Sequence, residues 1–269
     1  MDINACRRTG HRSYDRAYFA PLFAIEDRHF WFRARNRVIA TVVGQITSDL
    51  LPGYRVLEVG CGTGNVLRVL ERTCSHGTVM GMDMFSEGLQ YARRRTTCLL
   101  VQGDIQSPPF STQFDMIGLF DVLEHLPDDM RVLSHLHTML AGDGVLLLTV
   151  PAHPSLWSYF DEASCHCRRY TLTELEGKLE HVGYQVEYMT QYMASIFPML
   201  WLGRRLKSLI NRRPGGSADR INVSTRAELR ITPVLNNLLA LLLAQETRMI
   251  SRRRRLPIGT SLLAIARKE

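Results

Sequence analysis

The chain has 269 residues, 45% of them apolar, and 33 Lys and Arg against 26 Asp and Glu, for a formal charge of +7. That length suffices for one large core, so a single α/β domain with insertions is expected rather than two domains. No stretch of about 18 uncharged apolar residues occurs, so no membrane-spanning helix is expected. Met-Asp-Ile-Asn-Ala-Cys-Arg-Arg at the start lacks the apolar core of a secretory signal, so a cytoplasmic protein, or one peripheral to a membrane, is expected. Six cysteines (Cys6, Cys61, Cys74, Cys98, Cys165, Cys167) form no C-x-x-C pair, and reduced thiols are the default. Cys165-His-Cys167 has no second cluster nearby in sequence and is short of ligands for zinc.

The first dozen residues are polar and expected to be loose. Residues 14–46 read as a helical leader carrying His29-Phe-Trp-Phe-Arg-Ala-Arg-Asn-Arg-Val-Ile39. Its aromatics, Phe32 among them, either staple the core or line a site. Arg33, Arg35 and Arg37 alternate and cannot share one helical face, so some point at a polar target unless all are simply solvated. A strand over Arg55–Val59 then runs into Gly60-Cys-Gly-Thr-Gly64, followed by an amphipathic helix. Gly60, Gly62 and Gly64 allow positive φ and let a ligand reach backbone N–H groups near a positive helix end. The dinucleotide fingerprint G-x-G-x-x-G would place glycine where the chain has Asn65, so the spacing favours another ligand.

Gly77–Asp83 reads as a second strand whose terminal carboxylate, Asp83, suits two ribose hydroxyls. A third strand ends at Asp104, an acceptor for an adenine amino group. A fourth, Phe114–Phe120, leads into Asp121-Val-Leu-Glu-His-Leu126. An amphipathic helix is expected over 128–140, a turn at Gly142-Asp-Gly144, and a fully buried fifth strand over 145–150. Thr171-Leu-Thr-Glu174 starts a capped helix that Gly183 ends, and Tyr184–Tyr192 alternates as a sixth strand. Residues 195–255 form an insert, and a last strand falls within 259–267.

In V-L-E-V-G-C-G-T-G, M-G-M-D, G-D, F-D-x-I and V-L-E-H-L, in that order, the chain resembles the class I S-adenosylmethionine-dependent methyltransferases, and more narrowly the ubiquinone-pathway O-methyltransferases. The resemblance covers roughly residues 54–150. It implies a Rossmann-like, seven-stranded, mostly parallel sheet with helices on both faces, its last strand antiparallel between the fifth and sixth, a helical leader, and a cofactor-binding core over 54–192. It also implies S-adenosylmethionine as cofactor, with Glu58, Gly60, Cys61, Gly62, Gly64 and Asn65 around the methionine part. Asp83 would meet the ribose, Met84 a face of adenine, Asp104 its amino group and Ile105 its ring edge, with Phe120 and Asp121 closing the site. Arg35, four residues before Ile39, matches a leader arginine that meets the cofactor carboxylate in such enzymes.

Chemistry is expected beyond the fourth and fifth strands, where a base must deprotonate an oxygen acceptor aligned with the methyl group. His125, Asp161 and His166 are the catalytic candidates, since imidazole titrates near neutrality. His153, Arg168, Arg169 and Tyr170 are candidates for acceptor contact, the arginines reading an anionic group. Some similar O-methyltransferases hold a divalent cation at an acidic residue followed by Glu-His, which maps to Asp121, Glu124 and His125 and to Mg²⁺, whereas the same triplet recurs in relatives without metal. Between Trp201 and Arg255, 13 Lys and Arg face three acidic residues, a net +10, while the rest of the chain is net −3. This basic lid mixes charge with long aliphatic runs, which suits an anionic membrane surface or lipid-linked acceptor better than nucleic acid, or is merely a cap with a solvated rim. A small-molecule or lipid-linked acceptor is therefore expected. The alternatives are an adenosyl-binding module whose lid docks membrane or RNA, and, more remotely, a dehydrogenase.

Overall fold

The computed structural model describes residues 16–210 and 233–269. The polar first residues with Cys6, the start of the leader at 14–15, and the Pro214-Gly-Gly216 stretch with its neighbouring basic residues fall outside them. Seven strands, β1 (Arg55–Val59), β2 (Thr78–Asp83), β3 (Leu99–Gln102), β4 (Phe114–Phe120), β5 (Leu140–Pro151), β6 (Tyr184–Tyr192) and β7 (Ser261–Lys268), form one sheet in the order β3-β2-β1-β4-β5-β7-β6. The pairs from β3 through β5 are parallel, and β7 runs antiparallel between β5 and β6. This is the Rossmann-like arrangement that the motifs imply. The run Val145-Leu-Leu-Leu is buried on both faces, as a covered parallel sheet demands.

Helices α1 (Phe19–Ile25) and α2 (Phe30–Ser48) make the leader; α3 (Leu67–Thr73), α4 (Ser86–Ala92), α5 (Asp129–Met139), α6 (Tyr159–Ala163) and α7 (Leu172–Val182) alternate with strands; α8 (Phe197–Ile210) and α9 (Pro233–Ser251) precede β7. Successive strand residues serve opposite faces. Val56 joins Ile39 and Val42 of α2, Leu70 of α3 and Leu243 of α9 in one apolar cluster. Leu57 joins Val132 and Leu136 of α5 and Leu175 and Leu179 of α7 in the other. Burying each such side chain contributes roughly 1.5–3 kcal/mol, so both faces are needed to hold the sheet.

Local signals set several element ends. The Thr171 hydroxyl accepts from the Glu174 N–H at the start of α7, and Gly183 ends that helix at φ +98°. One boundary differs from expectation: β5 begins at Leu140 rather than 145, and Gly142-Asp-Gly144 lies inside it. Its pairing with β4 jumps from Phe114–Leu140 to Met116–Val145, and Asp143 takes φ +60°. The glycine pair thus makes a bulge that absorbs the extra residues within the strand. The part of the insert within α9 lies along α2. Asn236 accepts from the Phe30 N–H (2.7 Å) and donates to the Arg28 carbonyl (3.0 Å), and Glu246 accepts from the Ala194 and Ser195 N–H groups. The strand order reverses between β1 and β4, so a crevice at the carboxyl ends of these strands is where such a sheet binds ligands.

Candidate active site

At the carboxyl end of β1 the loop glycines take φ +73°, +50° and +75°. The N–H groups of Gly60 and Cys61 both donate to the Met82 carbonyl, which pins the loop to β2. A Cβ on Gly60 would come within 2.5 Å of Val122, and one on Gly64 within 2.9 Å of the Ala92 backbone. Asp83 accepts from the Gly62 N–H through Oδ2 (2.7 Å) and from the Phe85 N–H through Oδ1 (2.8 Å). It therefore ties the glycine loop to β2, and each oxygen retains further acceptor capacity. Burial raises its pKa, which the backbone donors oppose. Met84 next to it is 46% exposed, Ile105 is buried, and Asp104 is half-buried and accepts from the Gln106 N–H.

Two ionisable groups, one acidic and one basic, flank this loop. Glu58 is buried, its Oε2 has no hydrogen-bond partner, and burial pushes its pKa well up against the opposing field of Arg35. A buried carboxylate oxygen without a donor fits a ligand ammonium. Arg35 is buried while Arg33 and Arg37 are exposed, so the alternating arginines divide between site and solvent. The Arg35 guanidinium donates to Asp121 Oδ2 (2.8 Å) and Asn65 Oδ1 (3.3 Å), and lies over the rings of Trp31 (5.0 Å) and Phe32 (5.3 Å). Glu58 thus offers an acceptor oxygen and Arg35 a guanidinium on either side of the glycine loop. Asp121 itself takes φ +55° and also accepts from Thr149. Such backbone strain costs about 1–3 kcal/mol and concentrates at functional sites. Cys61 is buried, which raises its thiol pKa and keeps it neutral, and Phe120 is buried beneath the loop after β4.

Beyond β4 the structure brings together His125 with Asp161 and His166, residues from two segments. His166 Nδ1 lies 2.9 Å from Asp161 Oδ1, and its Nε2 lies 3.9 Å from Glu124 Oε1. The rings of His125 and His166 meet edge to face at 4.7 Å. Asp161 is fully buried and also accepts from Arg169 Nε (2.7 Å) and the Ser158 N–H (2.8 Å). Burial alone would raise its pKa, but the hydrogen bond from His166 and the Arg169 charge hold it down at about 2. His125 is pushed down to about 3 by burial and by neighbouring His166. Glu124 is buried, its Oε2 has no hydrogen-bond partner, and burial together with the Asp121 charge pushes its pKa well up.

The candidates for acceptor contact are placed differently. Arg168 and the Tyr170 hydroxyl both bind Asp129, Arg169 binds Asp161 and the Ala152 carbonyl, and Tyr170 is fully buried. Their polar atoms thus brace the loop after β5, with Arg168 still partly exposed. His153, at φ +59°, pairs through Nε2 with Gln191 (2.6 Å). For a metal, donor atoms of Glu124, His125 and His166 lie within 4.8 Å of one another. This differs from the expected Asp121, Glu124 and His125, because Asp121 is committed to Arg35 and Thr149. Asn36, Thr149 and Tyr192 were not singled out from sequence. Thr149 carried a signal, being the polar residue in an otherwise apolar strand; Asn36, which donates to Asn65 (2.8 Å), and buried Tyr192, whose pKa is raised by burial and by Asp121, carried none.

A family model described as a methyltransferase domain matches residues 23–188. Over 108 residues the chain is 32% identical to a ubiquinone biosynthesis O-methyltransferase of Actinobacillus pleuropneumoniae serotype 5b, a match covering 36% of this chain and 45% of that one. Over 101 residues it is 44% identical to a fatty-acid O-methyltransferase of Mycolicibacterium smegmatis, covering 36% and 37%. The matched stretch thus spans less than half the length of either relative. Among solved structures, a chain of the complex between the Haloferax volcanii Trm112 methyltransferase activator and a methyltransferase superposes with a TM-score of 0.58 at 17% identity, covering 93% of this chain and 94% of that one, which shows the shared fold. With the family match extending over more than half of its residues, this chain belongs to the class I S-adenosylmethionine-dependent methyltransferases.

Proposed function

We propose that the chain moves a methyl group from S-adenosylmethionine to an oxygen of a small or lipid-linked acceptor, with His166 as general base. The Asp161–His166 pair carries this reading. An Asp161 carboxyl held at about 2 is ionised at neutral pH, so Nδ1 of His166 donates to it and Nε2 is left to take a proton. Similarity to enzymes for ubiquinone biosynthesis and for fatty acids, both O-methyltransferases, supports oxygen and an apolar acceptor.

When bound, S-adenosylmethionine supplies an electrophilic methyl on a sulfonium. Glu58 and Arg35 hold its amino-acid end, and Asp83, Met84, Asp104 and Ile105 frame the nucleoside beside the glycine loop. The acceptor hydroxyl would pass its proton to Nε2 of His166 as its oxygen bonds to the methyl carbon and the carbon–sulfur bond breaks, its electron pair returning to sulfur to leave S-adenosylhomocysteine, and Asp161 would stabilise the resulting imidazolium. Arg169, paired with Asp161, keeps that carboxylate in place. Positioned proton transfer contributes about 10²–10⁴-fold. His166→Gln is therefore expected to bind S-adenosylhomocysteine as the wild type does and to lose transfer by a factor in that range, measured with labelled cofactor against lipid and metabolite extracts. Unchanged transfer sinks the assignment; binding without transfer by the wild type favours an adenosyl-binding module.

The convergence of Glu124, His125 and His166 favours a second reading, in which a divalent cation takes those donors and lowers the pKa of a bound acceptor hydroxyl. Two imidazoles suit zinc, iron or cobalt better than the expected Mg²⁺, which prefers oxygen ligands. Asp161 would then orient the ligating imidazole of His166. Transfer that chelator abolishes and zinc restores selects this reading; chelator-resistant transfer selects the base.

A further inference from the structure

Helix α9 presents apolar surface to solvent on the side away from the core. Its inner side, Asn236, Leu239, Leu243, Glu246 and Ile250, is buried. On the outer side Leu238, Leu241, Leu242, Gln245 and Met249 recur at spacings of three, four and seven, which places them in one stripe. Leu238, Leu241 and Leu242 are 53%, 68% and 45% exposed. Met199 and Leu202 of α8 are similarly exposed.

Basic groups border this stripe. Exposed Arg33 and Arg37 of α2 line, with Asn237, Ala240 and Leu241, a shallow groove of about 250 Å³. Arg248 is exposed in the last turn of α9, and Arg252, Arg253, Arg254 and Arg255 are exposed just beyond it. Glu246 is the sole acidic residue between 233 and 255, and its carboxylate is turned inward onto Ala194 and Ser195. The outward face is therefore apolar at its centre, positive at its rim, and without negative charge among its described residues.

We propose that this face docks on an anionic lipid bilayer, the leucine stripe entering the headgroup boundary and the arginines pairing with lipid phosphates. Apolar burial and attraction to anionic headgroups act together in such helices. Two copies of the face would bring arginine rims against each other, and single-stranded nucleic acid, which needs a row of stacking rings, would find leucines along α9 and a single exposed ring, Trp201, among the described residues of α8. The inference stands independently of the acceptor and of the base.

The test uses the full chain and vesicles of phosphatidylcholine with and without phosphatidylglycerol, at low and high salt. Partition is expected to require phosphatidylglycerol and to weaken with salt. Replacing Arg252, Arg254 and Arg255 with Gln is expected to lower partition by about 100-fold at low salt. Leu238→Gln, Leu241→Gln and Leu242→Gln together are expected to lower it by about tenfold or more, with thermal unfolding checking that each variant remains folded. Absence of vesicle binding by the wild type, or partition indifferent to both variants, overturns the proposal. So does a dimer that the leucine variant dissolves, or RNA that displaces the protein from vesicles.

Discussion

The two sides of the crevice are built by different means. On the proposed cofactor side most groups come in short contiguous runs, Glu58–Asn65, Asp83–Met84 and Asp104–Ile105, and backbone N–H groups fix the carboxylates, Asp83 through Gly62 and Phe85 and Asp104 through Gln106, while Arg35 comes from the leader and is held by the side chains of Asp121 and Asn65. On the proposed acceptor side Asp161, His166 and Arg169 share the stretch after β5, His125 joins them from the loop after β4, and buried side chains hold one another. A nucleoside can be held by main chain that any tight turn supplies, whereas placing an imidazole for proton transfer takes a charged partner in low dielectric. Stability and chemistry are thus coupled more tightly on the acceptor side.

The largest effect that would test this contrast is Asp161→Asn. It leaves Arg169 buried beside an amide, and removing one partner of a buried pair costs about 3–5 kcal/mol. Denaturant unfolding should show a loss of that order; a loss under about 1 kcal/mol would mean that the pair is no stronger than a surface contact and the contrast fails. Next, Gly64→Ala forces a Cβ to within 2.9 Å of the Ala92 backbone at φ +75°. It is expected to cost about 1–3 kcal/mol and to weaken S-adenosylhomocysteine binding, read by calorimetry, because the loop must shift. Unchanged affinity would detach the loop geometry from cofactor binding.

The smallest effect concerns pH. Burial would raise the Asp129 pKa, but Lys178 and Arg168 outweigh it and hold the carboxyl below its ordinary value. A carboxyl depressed in the folded state adds stability above the unfolded value near 4 and loses it as pH falls through the folded value. The wild type should therefore lose stability on that acid limb, by at most about 1.4 kcal/mol per pH unit from this group, and Asp129→Asn should flatten it. Equal slopes in the two proteins would show that Asp129 is not a net contributor.

Legibility followed the range of the interactions. The glycine loop and the strand-end carboxylates were readable because a strand, a tight turn and a helix start within a dozen residues leave a local pattern. The antiparallel β7 was readable only through the family resemblance, since nothing in Ser261–Lys268 states its direction. Arg168, Arg169 and Tyr170 read as ligand-facing because they are polar and follow β5, yet Asp129 and Asp161, 39 and 8 residues away from Arg168 and Arg169 in sequence, turn them inward. Gly142-Asp-Gly144 read as a turn, whereas the reach of β4 on its other side keeps it within β5 as a bulge.

The amino-acid sequence alone settles the periodicities, the glycine loop, the order of the strands along the chain and the excess of positive charge near the C-terminus, because each depends on neighbours a few residues apart. The tertiary structure alone decides that Arg35 meets Asp121, that His125 meets His166, and that the leucines of α9 face outward while Glu246 faces in. The contacts among these join residues 41 to 86 positions apart, and they are chosen by which buried polar groups find partners when the two faces of the sheet are covered.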